Sequence, residues 1–90
     1  MKERVIDEAV RLNALIEECQ RRAIFSGLKL ADFDRLKLEA SNVFTGVNNW
    51  LRHSRRTDKT GARILDELAK LSARAEALNA RFTAVIRRAS

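Results

Sequence analysis

Apolar residues recur along almost the entire chain at alternating spacings of three and four, which is the heptad pattern of packed helices. The pattern occurs three times and is interrupted twice, each time near a glycine. The sequence has no proline and only three glycines, so residues that usually punctuate strands and loops are nearly absent. These features predict an all-α chain of three amphipathic helices.

The three helices are predicted at about 2–25, 31–56 and 60–88. Their apolar stripes consist of Val5, Ala9, Leu12, Ile16, Cys19 and Ala23 in the first helix, of Phe33, Leu36, Ala40, Val43, Val47 and Trp50 in the second, and of Ile64, Leu68, Leu71, Ala75, Leu78, Phe82 and Val85 in the third. Because Trp50 continues the second stripe, it is predicted to belong to the core.

The helix ends are predicted from capping residues. Gly27 follows the first helix, because glycine readily adopts the left-handed conformation at a helix C-terminus. Asp32 is the candidate N-terminal cap of the second helix. Asp58 or Thr60 is the candidate N-terminal cap of the third helix. Residues 57–61 are assigned to the second turn.

Short turns between helices of similar length predict a three-helix antiparallel bundle, up-down-up, with heptad-type packing in a single domain over residues 1–90. A chain this small buries a limited core, so self-association, as a dimer, is expected to help its stability. Candidate contact residues outside the stripes are Ile6, Leu15, Leu38 and Ile86, and an alanine flank formed by Ala69, Ala73, Ala77, Ala80 and Ala84. The alanines are open to a second interpretation, namely high helix propensity alone.

The net charge of +6 is unevenly distributed. Residues 1–49 carry eight basic and eight acidic side chains, whereas residues 50–90 carry ten and four. A basic surplus favours polyanionic partners such as nucleic acid, nucleotides, acidic proteins or an anionic membrane surface. The outward face of the first helix, with Arg4 and Arg11 among its charges, is balanced and suited to water.

The compartment is predicted to be the cytoplasm, without membrane insertion. The first residues carry mixed charge and no apolar block, and no apolar run approaches membrane-spanning length. The single cysteine fits a reducing compartment.

The second helix has an outward face opposite its apolar stripe. In the C-terminal half of the helix, this face contains no acidic residue. The face and its basic extension into the turn comprise Ser41, Thr45, Asn48, Asn49, Arg52, Arg55, Arg56, Lys59 and Arg63. Hydroxyls, amides and guanidinium groups without a carboxylate are typical of surfaces that contact phosphate. The alternative is a solvated helix face that happens to lack glutamate.

The third helix carries a second basic stripe, consisting of Arg63, Lys70, Arg74, Arg81 and Arg88. This stripe is open to two interpretations, ligand binding or ordinary surface ion pairs. Asp66 lies four residues before Lys70, a spacing that favours the ion pairs.

Catalytic chemistry is poorly represented. His53 is the only histidine and is expected to be exposed or at an edge, whereas Cys19 lies on an apolar stripe and is expected to fill the core. The spacing of potential ligands indicates no metal site, and no glycine-rich phosphate loop is present. We therefore predict that the protein is not an enzyme and that it uses neither a cofactor nor a metal.

Two local resemblances fall on the same segment. Val47-Asn48-Asn49-Trp50-Leu51 followed by Arg55-Arg56 resembles the recognition helix of homeodomains of the three-residue-loop class, with His53 where that family has its adenine-reading asparagine. Residues 46–88 are similar to plasmid mobilisation proteins of the MobC type, with Trp-Leu-Arg-His in place of the usual Leu-Asn-Gln-Ile. Both resemblances imply DNA binding.

The favoured function is that of a small basic helical protein that binds nucleic acid mainly through phosphate contacts. Two alternatives remain open: a homo-oligomeric interaction protein, such as an adaptor or an inhibitor of an acidic protein, and an oligomeric binder of a phosphorylated nucleotide.

Overall fold

The computed structural model describes residues 1–53 and 57–89, and these residues form three α-helices. Helix α1 spans Lys2–Ser26, α2 spans Ala31–Arg52 and α3 spans Asp58–Ala89. Helix α1 packs most extensively against α3 and least against α2. The predicted all-α, three-helix bundle is confirmed.

The direction of each helix follows from the contacts at the two ends of the bundle. At one end, Met1 and Trp50 both approach Gly61. At the other end, the rings of Phe33 and Phe82 meet edge to face with their centroids 5.6 Å apart. Helix α2 therefore runs antiparallel to both neighbours, while α1 and α3 run parallel, as the up-down-up prediction requires.

The predicted apolar stripes form the core. Every stripe residue except Val85 is either buried in the core or partly buried and packed against it. Val85, near the end of α3, is half-buried but is not part of this cluster. Trp50 is 7% exposed, which confirms its predicted place in the core. Burying a large apolar side chain contributes about 1.5–3 kcal/mol, so the three stripes supply the main driving force for folding.

The first turn is partly as predicted. Gly27 follows α1 with a φ of 67°, and its N–H donates to the carbonyl oxygens of Ala23 and Ile24, so the glycine cap is confirmed. Asp32, the candidate cap of the second helix, is not the cap. Helix α2 begins at Ala31, as its predicted range has it, and follows Leu30, so Asp32 lies in its first turn, where its charge is favourable to the helix dipole.

The second turn differs more from the prediction. Helix α2 was predicted to reach residue 56 but ends at Arg52, because His53 adopts an extended backbone conformation with a ψ of 132°. Helix α3 begins at Asp58, before the predicted residue 60. Its cap is neither Asp58 nor Thr60: the N–H of Thr60 donates to the hydroxyl oxygen of Thr57, 3.3 Å away.

Gly61 is not a turn residue, although residues 57–61 were assigned to the turn. It is buried in the first turns of α3. A methyl group on its Cα would lie 2.8 Å from Cζ2 of Trp50 and 2.9 Å from Cγ of Met1. The indole Nε1 of Trp50 also donates to the carbonyl oxygen of Thr57, 3.2 Å away. The absence of a side chain at Gly61 therefore lets the tryptophan close this end of the bundle.

Gly46 provides the matched contrast. It lies inside α2, and a methyl group there would meet no atom within 4 Å. We expect Gly46→Ala to raise the free energy of unfolding by about 1 kcal/mol, the difference in helix propensity. Gly61→Ala should lower it by a net 1–2 kcal/mol or so, because overpacking against Trp50 outweighs the same propensity gain. Urea denaturation of both variants measures this, and a stabilised Gly61→Ala would contradict the packing role.

Candidate functional site

The face of α2 that was singled out as free of acidic residues lies opposite the core. Its described members are all exposed, and we call them the polar row: Ser41, Thr45, Asn48, Asn49 and Arg52. The side chains share one face because residues three, four and seven apart stack along a helix. The structure thus brings together the part of the predicted site that belongs to α2.

The members of the polar row differ in what they can donate. The hydroxyl of Thr45 donates to the carbonyl oxygen of Ser41, 3.1 Å away, so its proton is already used inside the helix. The amides of Asn48 and Asn49 and the guanidinium of Arg52 are exposed at the C-terminal end of the helix. The strongest donors for an anion therefore lie at that end of the row.

The end of α2 meets the starts of both other helices. Lys59 and Arg63 are exposed in the first turns of α3, and Lys2 and Arg4 are exposed in the first turn of α1. We call this region the basic end, consisting of Lys2, Arg4, Arg52, Lys59 and Arg63. The predicted site residues Arg55 and Arg56 lie outside the described residues.

Many cations away from the basic end are neutralised by ion pairs. Arg11 contacts Glu76 at 2.7 Å across the α1–α3 interface, and Arg22 contacts Glu18 at 2.9 Å within α1. The exposed ion pairs each contribute little to stability. Their consequence for binding is larger, because each carboxylate reduces the attraction of its cation for other anions.

Most cations of the basic stripe of α3 also form ion pairs with carboxylates. Lys70 pairs with Asp66 at 3.0 Å, and the guanidinium groups of Arg74 and Arg81 pair with Glu39 and Asp32 of α2. These contacts favour the ion-pair interpretation of that stripe over ligand binding.

The basic end is less neutralised. Among the ion pairs between described residues, none involves Lys2, Arg4, Arg52 or Lys59, and Arg63 reaches Glu67 only at 4.0 Å. The sequence assigned Arg4 to a balanced outward face and did not include it in the candidate site. The predicted up-down-up topology places the start of α1 beside the second turn, and the contacts of Met1 and Trp50 with Gly61 agree with it.

A groove of about 520 Å³ opens between the second half of α2 and the first half of α3. Its floor is apolar and includes Val43, Trp50 and Ile64, with the bare backbone of Gly46 beside them. Polar side chains at its rim include those of Asn42, Asn49, His53, Arg63 and Glu67. The groove shares Asn49 with the polar row and Arg63 with the basic end.

Cys19 and His53, the two residues considered for catalytic chemistry, lie in different surroundings. Cys19 is fully buried, and its thiol donates to the carbonyl oxygen of Ala75, 3.2 Å away. His53 is exposed at the end of α2. Residues 1–53 and 57–89 contain no group of three or more potential metal ligands from histidine, cysteine, aspartate and glutamate.

None of the helices in the described part of the chain combines the length and the apolar composition needed to cross a membrane.

Comparison of the chain with protein-family models, with curated proteins and with solved structures gives no match. The resemblances to homeodomains and to mobilisation proteins thus remain local to the segments that carry them.

Burial raises the pKa of the Cys19 thiol, and the carboxylate of Glu18 raises it further. The folded protein therefore keeps a proton that the unfolded chain loses at alkaline pH, so stability should fall as the pH rises above the ordinary thiol pKa. We expect urea denaturation to show this decline between about pH 8 and pH 10. Cys19→Ala should be less stable at neutral pH but show a smaller decline, and an equal decline in both proteins would contradict the assignment.

Proposed function

We propose that this protein binds nucleic acid through its phosphates, using the polar row and the basic end. The observation that carries the proposal is the contrast in neutralisation. Arg52 and Lys59 are exposed beside a helix face without carboxylates and belong to no ion pair between described residues, while many cations elsewhere on the bundle have an acidic partner.

The residue types suit phosphate oxygens. A guanidinium group such as that of Arg52 can donate two parallel hydrogen bonds to one phosphate, and the ammonium of Lys59 acts as a compact point charge. The exposed amides of Asn48 and Asn49 add neutral donors. The beginning of α3 contributes backbone N–H groups and the positive end of its dipole, partly offset by Asp58.

In this proposal the protein has no catalytic role and acts in the cytoplasm, where its single thiol stays reduced. Sequence preference would come from few groups, because the polar row offers only Asn48, Asn49 and Arg52 for base edges. Phosphate contacts would therefore supply most of the affinity.

Binding through phosphates must weaken with salt. Each neutralised phosphate contributes a log–log slope of about −0.9 on duplex DNA, so four to six contacts would lower the affinity by roughly two to three powers of ten between about 50 and 200 mM salt. Replacing Arg52 and Lys59 together by glutamine should reduce the slope by about two units. Fluorescence anisotropy with a labelled oligonucleotide over a salt series measures both quantities.

The matched control is Arg21→Gln with Lys29→Gln. These two cations are also exposed, but they lie at the opposite end of the bundle, near the α1–α2 turn. The control should leave the slope nearly unchanged. If neither duplex nor single-stranded DNA or RNA binds at low salt, or if the control lowers the slope as much, the proposed surface is wrong.

Self-association is a second candidate, favoured by two exposed features. Leu38 on α2 is 65% exposed, and the alanine flank of α3 faces water. The five exposed alanines are Ala69, Ala73, Ala77, Ala80 and Ala84. Small side chains allow a second helix to approach closely, so this flank could form the contact between two copies of the chain. Of the other predicted contact residues, Ile6 is exposed, while Leu15 and Ile86 are half-buried.

A dimer would be disrupted by charge in its contact surface. We expect sedimentation equilibrium to show a dimer at micromolar concentration, and Ala73→Glu to shift it to monomer without a loss of helicity, because Ala73 is exposed. Lys70→Glu, also exposed on α3, serves as the control for added negative charge beside the flank. A monomeric parent protein across the micromolar range would rule out this candidate.

A further inference from the structure

We propose that the groove between α2 and α3 receives the base of a nucleotide whose phosphate lies on the basic end. This inference rests on the proposed function and makes it more specific. It distinguishes unpaired nucleotides, in a single strand or free, from duplex nucleic acid, whose bases must first be unpaired and unstacked at a cost in free energy.

The groove has the dimensions and chemistry that a base requires. Its volume of about 520 Å³ leaves room for a flat heteroaromatic ring, and its floor at Val43, Trp50 and Ile64 is apolar. The amides of Asn42 and Asn49 lie at its rim. An amide presents a donor and an acceptor side by side, which is the pattern that base edges pair with.

Gly46 gives independent support. Glycine inside a helix is less favourable than alanine, and a packing requirement often explains it. No such requirement exists here, because a methyl group on Gly46 would meet no atom within 4 Å. The missing side chain instead widens the groove, whose wall Gly46 forms. A ligand that enters beside α2 is a physical reason for the glycine.

The charges around the groove orient the nucleotide. Glu67 lies at the groove, 4.0 Å from Arg63, so a doubly charged phosphate deep in the groove would be repelled by its carboxylate. Arg52 and Lys59 are exposed and have no acidic partner among the described ion pairs. The uncharged base therefore lies inside the groove, and the phosphate lies outside it, towards Arg52 and Lys59.

The fluorescence of Trp50 can report whether a base enters the groove. Trp50 is the only tryptophan and lines the groove, so a base that enters should change its fluorescence. The titration uses a single-stranded DNA oligonucleotide, an abasic oligonucleotide of the same length, the matching duplex and a nucleoside monophosphate. We expect the single strand to quench Trp50 and to bind about tenfold more tightly than the abasic strand, since one inserted base is worth roughly that factor.

Three variants test the location. Asn49→Ala and Asn48→Ala change adjacent amides of the polar row, but only Asn49 lines the groove. We expect Asn49→Ala to reduce the ratio of the two affinities, base-containing strand over abasic strand, severalfold. Asn48→Ala removes a donor of the polar row and should weaken both strands alike, which leaves that ratio unchanged. Gly46→Leu fills the groove and should abolish the preference while leaving abasic binding unchanged, with thermal denaturation confirming that the bundle remains folded.

The outcomes separate the two proposals. Equal affinity for the abasic and base-containing strands, without quenching by any ligand, would overturn base insertion while phosphate binding stands. Failure of every oligonucleotide and of the monophosphate to bind would overturn both. Quenching by the monophosphate alone would assign the groove to free nucleotides, whereas quenching only by the strand would assign it to single-stranded nucleic acid.

Discussion

The contact between Trp50 and Gly61 determines how one end of this bundle is built. The indole edge occupies the space where any other residue would place a Cβ, and its Nε1 binds the carbonyl oxygen of Thr57. The same contact brings Met1 against α3, so all three helices are aligned at this end. The other end is held more simply, by the edge-to-face pair of Phe33 and Phe82. Together with the buried stripes, these two contacts define the register of the bundle, and that register positions the surface charges.

That register decides which cations remain available to a partner. It brings Arg11 to Glu76 and Arg74 to Glu39, so charges in the middle of the bundle neutralise each other across helix interfaces. Arg52 at the end of α2 and Lys59 at the start of α3 are exposed, and neither belongs to an ion pair between described residues. A chain with an evenly mixed surface would show no such contrast. The proposed phosphate-binding surface is thus a consequence of packing as much as of composition.

The core was predictable from the sequence because apolar spacing reports directly on helical faces, and the stripes through Leu12, Leu36 and Leu68 are buried as expected. The exposed polar row was predictable for the same reason. The role of Gly61 was not, since a glycine near a turn and a glycine at a close helix contact look alike in sequence. Nor could spacing along one helix reveal the groove, which residues of α2 such as Gly46 and residues of α3 such as Ile64 line together. The features of each helix and the up-down-up topology could be predicted, whereas close contacts between the helices needed the structure.

The central claim is that polyanions bind the polar row and the basic end, and amide chemical shifts of isotopically labelled protein test it most directly. Titration with a short oligonucleotide should move the resonances of Asn48, Asn49 and Arg52 and of the first turn of α3, and leave those of the alanine flank unchanged. Shifts concentrated on Ala73 and Ala80 would instead indicate a helix-packing surface, and no shifts at all would mean no binding. Either result would contradict the account.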